Sequence, residues 1–270
     1  MSKEYSLSIP NVNSFNVKYY FSNVDNVFPA RIFPPHVHDE LEIYILLEGD
    51  ASFMVDNNLY KLSSGDVVIS RPNEMHNCIL NTNSVHRHLC FWFDVSCEYV
   101  FSRFTKIQDS PAVISPRKAD ADVLLSLYEQ LEDASRLEDH FKQFYIQLQI
   151  LDLISKNASQ AEIPSALPTI LKNILDDIDK SFMEIENLDF FVNKYSISQS
   201  TLNRLFKQHL NTTPKIYLET KKLALSRSLL RRGKNVFEAC IQSGFSDYSN
   251  FIRLFRKRFG ITPKQYRKLK

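Results

Sequence analysis

Two stretches near the carboxyl end of the chain decide the fold, because the second repeats the first. Residues 204–217 read RLFKQHLNTTPKIY, and residues 253–266 read RLFRKRFGITPKQY. The stretches are 49 residues apart and agree at seven of their fourteen positions. The identical pairs are Arg204/Arg253, Leu205/Leu254, Phe206/Phe255, Thr213/Thr262, Pro214/Pro263, Lys215/Lys264 and Tyr217/Tyr266. A match this dense at a fixed spacing indicates one supersecondary unit used twice.

Each copy has the pattern of a short helix, a tight turn and a second helix. Ser198 and Asp247 occupy equivalent positions, and both residue types cap helix amino termini. Apolar residues follow each cap at helical spacing, namely Leu202, Leu205, Phe206 and Leu210, then Phe251, Leu254, Phe255 and Phe259. Shorter amphipathic segments precede the caps, with apolar faces of Leu188, Phe191 and Val192, then Val236, Ala239, Cys240 and Ile241. The pattern predicts two helix-turn-helix units, at about 184–211 and 234–260.

A Thr-Pro pair after each second helix indicates that a further helix begins there, with Pro214 or Pro263 at its first position. From Pro214 to about Arg232 we expect a long amphipathic helix. Its apolar residues available for burial are Ile216, Leu218, Leu223, Leu225, Leu229 and Leu230. Held rigidly apart by this helix, the two second helices could enter major-groove segments about one turn of B-DNA, roughly 34 Å, apart. We expect the repeated aromatic residues Phe206, Phe255, Tyr217 and Tyr266 in the core.

The charge of the chain is divided between its two parts. The whole chain carries a formal charge of +2, but residues 168–270 hold 20 Lys and Arg against 9 Asp and Glu. Residues 1–167 hold the remaining 13 basic and 22 acidic side chains. A basic excess spread over a whole domain favours nucleic-acid binding, because each Lys or Arg on a phosphate releases a condensed counterion. A solvated basic face is the alternative.

Composition excludes several other classes of protein. Hydrophobic residues at 44% and charged residues at 24% lie in the globular range. No apolar run approaches the ~18 residues of a membrane span, and the amino terminus has no signal-peptide pattern. Glycine-rich nucleotide-binding motifs do not occur in the sequence. Cys78, Cys90, Cys97 and Cys240 have no CxxC spacing, which favours reduced thiols and a cytoplasmic location.

Residues 168–270 resemble the DNA-binding domain of the AraC/XylS family. Residues 244–268, GFSDYSNFIRLFRKRFGITPKQYRK, are close to the family signature Gly-Phe-x-Asp-x-Ser-x-Phe-x-x-x-Phe-Lys-x-x-x-Gly-x-x-Pro-x-x-Tyr-Arg. Asn211 replaces a usual Gly, Cys240 and Ser226 replace usual Ala residues, and Lys222 replaces a usual Arg. The resemblance implies a transcription regulator, most commonly an activator, that binds double-stranded promoter DNA. It also implies a homodimer and RNA polymerase as a partner.

The outward-facing side chains of the two second helices are the expected DNA contacts. They are Gln199, Ser200, Asn203, Arg204 and Lys207 in the first copy, and Tyr248, Ser249, Ile252 and Arg253 in the second. We expect Asn203 and Arg204 to read bases, because Asn bonds adenine and Arg bonds guanine bidentately. The resemblance supports Ser200, Asn203 and Arg204. Arg253 is the expected reader of the second helix, while Lys207, Arg256 and Lys257 are expected on phosphates. Structural salt bridges within each unit are the alternative for Arg204 and Arg253.

Residues 1–110 have the pattern of short antiparallel strands. β-branched and aromatic runs at 41–47, 51–55, 66–70 and 90–95 alternate with turns, as in an antiparallel barrel or jelly roll. His36, His38, Glu42 and Gly49 follow the spacing of the first cupin motif. Gly65, Asp66, Pro72 and His76 resemble the second motif without its middle Gly. The segment resembles the cupin-type sensor domain at the front of AraC-type regulators.

The motif residues have three uses that the sequence leaves open. His36, His38, Glu42 and His76 supply three imidazoles and one carboxylate, a set that suits a divalent metal. In the resembled regulators the pocket usually binds a small effector, often a sugar, and requires no cofactor. These side chains would then form its hydrogen-bonding wall, with Trp92 as an aromatic plate for a sugar ring. A purely structural role, including core packing of Trp92, is the third use.

Two amphipathic segments, 119–131 and 140–154, predict a helical hairpin within 111–156. Its apolar residues are Val123, Leu124, Leu127, Tyr128 and Leu131, then Phe141, Phe144, Tyr145, Leu148, Leu151 and Ile154. The same stripe would serve packing on the barrel or dimerisation. Residues 157–167 are polar and contain proline, which predicts a linker to a DNA-binding domain over 168–270.

The sequence therefore predicts an α+β multidomain protein. A cupin-like antiparallel β-barrel with a helical hairpin precedes an all-α domain of two helix-turn-helix units joined by a long helix. We expect a regulator, not an enzyme, whose effector has different affinities for two arrangements of its parts. One alternative is a metal-dependent cupin enzyme with an appended nucleic-acid-binding domain. Another makes the front domain a dimerisation module without a ligand.

Overall fold

The structure is a computed structural model. It describes residues 3–8, 16–24, 35–82, 85–93, 104, 112–159, 164–165 and 167–268. The chain divides into two compact units, the first formed by residues 1–33 and 38–165 and the second by residues 34–37 and 166–270.

The strands of the first unit form two antiparallel sheets. In the described residues the strands are β1 (Lys3–Ser8), β2 (Asn16–Val24), β3 (Leu41–Glu48), β4 (Ala51–Val55), β5 (Asn58–Lys61), β6 (Val67–Ser70), β7 (His76–Leu80), β8 (His86–Phe93) and β9 (Val113–Ile114). The large sheet has the order β1-β2-β8-β3-β6-β9, and the small sheet has the order β5-β4-β7. All their pairings are antiparallel, which confirms the predicted β architecture.

Strands β3 and β6 of the large sheet are buried on both faces, so their sequences are mostly apolar. Along β3 the side chains alternate between the faces because successive residues of a strand point to opposite sides. Leu41, Ile43 and Ile45 belong to a core cluster that the sheet shares with two helices. Tyr44 and Leu46 belong to a second cluster, shared with strands of the small sheet. The side of the large sheet that faces the small sheet is called the inner face below.

A helical hairpin covers the other face of the large sheet. Its helices are α1 (Lys118–Arg136) and α2 (His140–Lys156), close to the predicted segments. The residues that pack in the shared core are Leu124, Leu127, Tyr128, Leu131, Ala134, Ile146, Ile150, Leu151 and Ile154. The apolar stripe of the hairpin is therefore used for packing on the sheet.

Val123, Phe141 and Tyr145 belong to the predicted apolar stripe but do not pack on the sheet. These side chains are 48%, 82% and 57% exposed. In α2 the inward positions include the polar residue Gln143, which accepts a hydrogen bond from the Tyr19 hydroxyl at 2.9 Å and donates to Ala134 O at 3.1 Å. These partners make burial of the amide favourable, so α2 turns a partly polar face to the sheet. Hydrophobicity alone did not predict that orientation.

The described helices of the second unit are α3 (Thr169–Ser181), α4 (Asp189–Tyr195), α5 (Gln199–Leu210), α6 (Pro214–Arg231), α7 (Val236–Gln242), α8 (Tyr248–Phe259) and α9 (Pro263–Arg267). The predicted caps are confirmed, since Ser198 accepts from Thr201 N and Asp247 accepts from Asn250 N. Asn211 ends α5 in the left-handed region with φ of 50°, and Gly260 ends α8 in the same way with φ of 75°.

The core of the second unit contains Phe206, Phe255 and Tyr217, which are fully buried as predicted. The predicted burial of Ile216 and Ile241 is wrong, because they are 43% and 51% exposed. The long helix α6 buries Tyr217, Lys222 and Ser226 among others, and the seven-residue helix α7 buries Ala239 and Cys240. Polar side chains with hydrogen-bond partners thus occupy positions that an apolar pattern assigns to aliphatic residues.

Three of the four cysteines can be described. Cys78, Cys90 and Cys240 are free thiols in buried positions. Cys97 and the end of the predicted strand at Val95 lie outside the described residues. Within the described part of the chain, every helix is too short or too polar to span a bilayer.

Candidate DNA interface and effector site

The exposed faces of α5 and α8 carry the predicted DNA contacts. The exposed side chains are Gln199, Ser200, Asn203, Arg204 and Lys207 on α5, and Tyr248, Ser249, Arg253, Arg256 and Lys257 on α8. The opposite face of α5 is held by Leu202, Phe206 and Leu210, which are fully buried. Because the helical period separates the two faces, burial of this stripe turns the polar residues outward.

Arg253 lies on a shallow depression of the α8 surface. Ser249, Ile252, Arg253, Arg256, Lys257, Gly260 and Thr262 line this depression. The Arg253 guanidinium donates to Asn250 Oδ1 at 2.7 Å, a neutral amide one turn earlier in the same helix. This contact orients the guanidinium without neutralising its charge. Such an arginine can bond a guanine edge or a phosphate.

A cluster of histidines around one carboxylate lies on the inner face. Glu42 on β3 is directly opposite Trp92 on β8. The indole Nε1 of Trp92 donates to Glu42 Oε2 at 2.6 Å. The same oxygen is 2.9 Å from His38 Nε2 and 3.6 Å from His76 Nε2. Ligand atoms of His36, His38, Glu42 and His76 all lie within 4.8 Å of one another, so the four predicted residues are brought together.

Backbone carbonyls orient two of the imidazoles. His38 Nδ1 is 2.9 Å from Glu40 O, and His76 Nδ1 is 2.9 Å from Glu74 O. A carbonyl oxygen only accepts, so each Nδ1 carries the proton in these contacts. In a neutral ring of this tautomer, Nε2 offers a lone pair, and here it faces a carboxylate oxygen. Two acceptors at this distance need a cation between them, either a proton or a metal ion.

The electrostatics of Glu42 and His76 reflect their pairing. Burial by itself raises the pKa of Glu42, but the charge of His76 and the hydrogen bond with His38 hold that pKa well below its usual value. Burial by itself lowers the pKa of His76, but the charge of Glu42 raises it above the usual value. The buried carboxylate therefore stays ionised and favours a positive partner.

Sequence reasoning missed a second polar group on the inner face. The Tyr44 hydroxyl is 3.0 Å from His86 Nε2 and 3.6 Å from Cys78 Sγ, and the Tyr44 ring stacks on His88 at 4.7 Å. Burial lowers the pKa of His86 to about 4 and that of His88 to about 3, so both rings are neutral near pH 7. The signal was present in HRHLCFWF, where His86, His88, Cys90 and Trp92 alternate. The predicted strand began four residues too late to include both histidines.

Family comparisons define the class of protein. The model of the AraC-like ligand binding domain matches residues 20–167, which is more than half of the chain. A helix-turn-helix domain model matches residues 191–269. The chain belongs to the AraC family of DNA-binding transcription regulators and carries an AraC-like ligand binding domain.

Two curated relatives and one solved structure are similar to the chain. The chain is similar to the HTH-type transcriptional activator RhaS of Escherichia coli (strain SMS-3-5 / SECEC), with 25% identity over 248 residues, covering 88% of this chain and 89% of that protein. RhaS of Escherichia fergusonii is 25% identical over 254 residues, with the same coverage. ToxT from Vibrio cholerae O395 is a similar solved structure, with 12% identity, a TM-score of 0.38 and coverage of 94% of this chain and 98% of that one. Both curated relatives are transcriptional activators.

Proposed function

We propose that this regulator reads a promoter site with α5 and α8 and responds to a small polar effector bound at the inner face. The observation that carries the proposal is the pair of equivalent helices, each capped in the same way and each exposing polar and basic residues. Asn203 and Arg204 would read bases from α5, and Arg253 would read from α8. Lys207, Arg256 and Lys257 would bind phosphates, while Gln199, Ser200, Tyr248 and Ser249 flank the readers.

Replacing Arg204 with alanine tests the assignment of readers. We expect Arg204→Ala to lose about 1–3 kcal/mol at a selected site and to relax the base preference there, because a bidentate base contact is removed. Lys257→Ala is the matched control, expected to weaken all sequences alike and to flatten the salt dependence. Affinities for selected and random DNA, measured over a range of salt, separate the two. Equal losses on both DNAs for both variants would contradict the assignment.

For the effector we propose contacts with His36, His38, Glu42, His76 and Trp92, and a polyhydroxylated molecule such as a sugar is the favoured class. Supporting this, the inner face offers hydrogen-bonding groups beside a half-buried indole whose Nε1 is already fixed by Glu42. Hydroxyl groups of a sugar both donate and accept, which suits imidazoles and a carboxylate. We further propose that the protein activates transcription, as the name of the transcriptional activator RhaS describes for that relative. RNA polymerase is the proposed partner in this step.

A homodimer remains a prediction from the family resemblance. The exposed apolar residues available for pairing on the hairpin are Val123, Leu137, Phe141 and Tyr145. Exposed apolar patches of this kind mark interaction surfaces in many soluble proteins.

We also propose that His36, His38, Glu42 and His76 hold a divalent metal ion, for which the donor set is suited. The Nε2 atoms of His38 and His76 face the ionised carboxylate of Glu42, and their Nδ1 atoms are fixed by carbonyls, as is usual for metal-binding histidines. Three imidazoles and a carboxylate favour Zn²⁺ or a neighbouring transition metal. Such an ion would supply a positive anchor for oxygen atoms of an effector.

Titration with Zn²⁺ tests the metal proposal. We expect one ion per chain and a rise in the melting temperature, because a ligand at about 100 times its Kd stabilises the folded state by about 2.7 kcal/mol. His76→Ala should abolish both effects, whereas His140→Ala, which changes an exposed histidine of α2, should leave them unchanged. Equal Zn²⁺ binding by the two variants would contradict the site, and a titration without heat or thermal shift would leave effector contact as the role of these residues.

A further inference from the structure

A buried lysine joins the two helix-turn-helix units. Lys222 lies on α6 and is only 7% exposed. Its Nζ donates to Ile185 O at 2.8 Å and to Gly244 O at 2.7 Å. Ile185 precedes the first helix of the first helix-turn-helix unit. Gly244 lies in the turn between the two helices of the second helix-turn-helix unit. One ammonium group therefore bonds the backbone of both units.

The two helix-turn-helix units approach each other closely at Lys222. Gly244 has φ of +85°, and a Cβ atom placed there would be 2.3 Å from Met183 O and 2.6 Å from Met183 Cα. The backbone of the turn in the second helix-turn-helix unit thus packs directly against the backbone of the segment after α3. Gln199 and Asp247, at the starts of α5 and α8, line the same cleft as Lys222. The lysine lies at the junction from which α5 and α8 extend.

A buried ammonium group strongly resists losing its partners. Charge-assisted hydrogen bonds are about twice as strong as neutral ones, and an unpaired buried charge costs several kcal/mol. Burial lowers the pKa of Lys222, against the charges of Glu186 and Glu219, which raise it. A shift of either helix-turn-helix unit relative to α6 would break one of the two hydrogen bonds. The ammonium group of Lys222 would then lose a partner. The pair of bonds therefore resists changes in the separation of the units.

We propose that Lys222 is a positioning residue that fixes the separation and angle of α5 and α8, and thereby the spacing between the two DNA segments that this regulator accepts. The proposal rests on the proposed function, in which both helices read DNA. The two acceptors of Lys222, Ile185 O and Gly244 O, lie outside α5 and α8. The effect of Lys222 would be on the choice among spacings and not on the choice among bases.

Spacing-variant DNA tests the proposal with the full-length chain. Sites selected in vitro by the wild-type protein are compared with copies in which one to three base pairs are inserted between the two contacted segments. Lys222→Met is expected to reduce the preference for the selected spacing about tenfold, the equivalent of one charge-assisted hydrogen bond. Lys222→Arg, which keeps the charge and two donors, should restore most of that preference. Lys257→Met removes the same charge from the α8 surface and should weaken all spacings alike.

A distance measurement without DNA gives an independent readout. Spin labels attached through unnatural amino acids at Gln208 and Lys257, exposed and equivalent positions of the repeat, report the separation of α5 and α8. The distance distribution should broaden in Lys222→Met and stay narrow in Lys222→Arg. If the Met variant does not fold, Lys222→Gln, which keeps a neutral donor, replaces it. A folded Met or Gln variant with wild-type spacing preference and an unchanged distance distribution overturns the proposal, whereas wild-type protein without any selected site overturns the proposed function instead.

Discussion

Phe255→Ala is expected to lower the free energy of unfolding of the second unit by about 3–5 kcal/mol. Phe255 is fully buried and packs against Phe251, Phe259 and Tyr266, with ring centroids 4.5 to 5.7 Å apart. Removing the ring from the middle of this aromatic cluster leaves a cavity that three large neighbours cannot fill without leaving their rotamers. Since domains are stable by only about 5–15 kcal/mol, much of the stability of this unit would be lost.

Denaturant unfolding followed by the helical circular dichroism signal measures this loss, and DNA affinity should fall with it. Phe237→Ala is the matched control, because Phe237 lies in the same helix-turn-helix unit but is 61% exposed. Surface substitutions usually change stability by less than about 0.5 kcal/mol. Similar losses for the two variants would mean that the aromatic cluster is not the core of this unit.

Acidification from pH 6.5 to about 4 should remove about 3 kcal/mol of stability from the first unit through His88 alone. Burial lowers the pKa of His88 from 6.5 to about 3, so the unfolded chain binds a proton in this range that the folded chain excludes. The contribution of the neutral ring is present in full above pH 6.5 and is lost as the pH falls towards 3. His86, with a pKa lowered to about 4, acts in the same direction.

His88→Phe isolates this contribution. Phenylalanine does not titrate, and its ring can keep the stacking on Tyr44 that His88 makes at 4.7 Å. The stability of the variant, followed by the fluorescence of Trp92, the single tryptophan of the chain, should depend less steeply on pH than that of the wild type. His76 has the opposite sign because its pKa is raised, but it is present in both proteins and cancels in the comparison. His140→Gln, at an exposed position of α2, should keep the wild-type slope. A wild-type slope in His88→Phe would rule out His88 as its source.

Local signals allowed much of the second unit to be predicted. Ser198 and Asp247 cap helices three residues from their bonding partners, and Asn211 ends one through its own backbone conformation. Such interactions depend on neighbours in sequence, so they can be predicted from the sequence of this chain alone. The repeat indicated that α5 and α8 are equivalent helices. The division of charge indicated that their exposed faces bind nucleic acid. The cupin-type spacing brought His36, His38, Glu42 and His76 together for the same reason, since strand alternation and short turns fix which residues share a face.

Residues whose partners lie far along the chain were not predicted. The orientation of α2, which buries Gln143 and exposes Phe141, depends on the hydroxyl of Tyr19, more than 120 positions away. Tyr44 and His86 are 42 positions apart and meet only because β3 and β8 are paired. Lys222 was noted as a departure from the family pattern, and nothing near it in the sequence identifies Ile185 O and Gly244 O as its acceptors.

By itself the sequence determined the helix boundaries, the duplicated unit and the candidate contact residues, because capping, periodicity and motif spacing act over a few residues. Only the tertiary structure decided which polar side chains are buried, how their ionisation shifts and which backbone groups they join. Burying an amide, an imidazole or an ammonium group is favourable only where a hydrogen-bond partner is available. Those partners come from distant strands and turns, and packing alone brings them within reach.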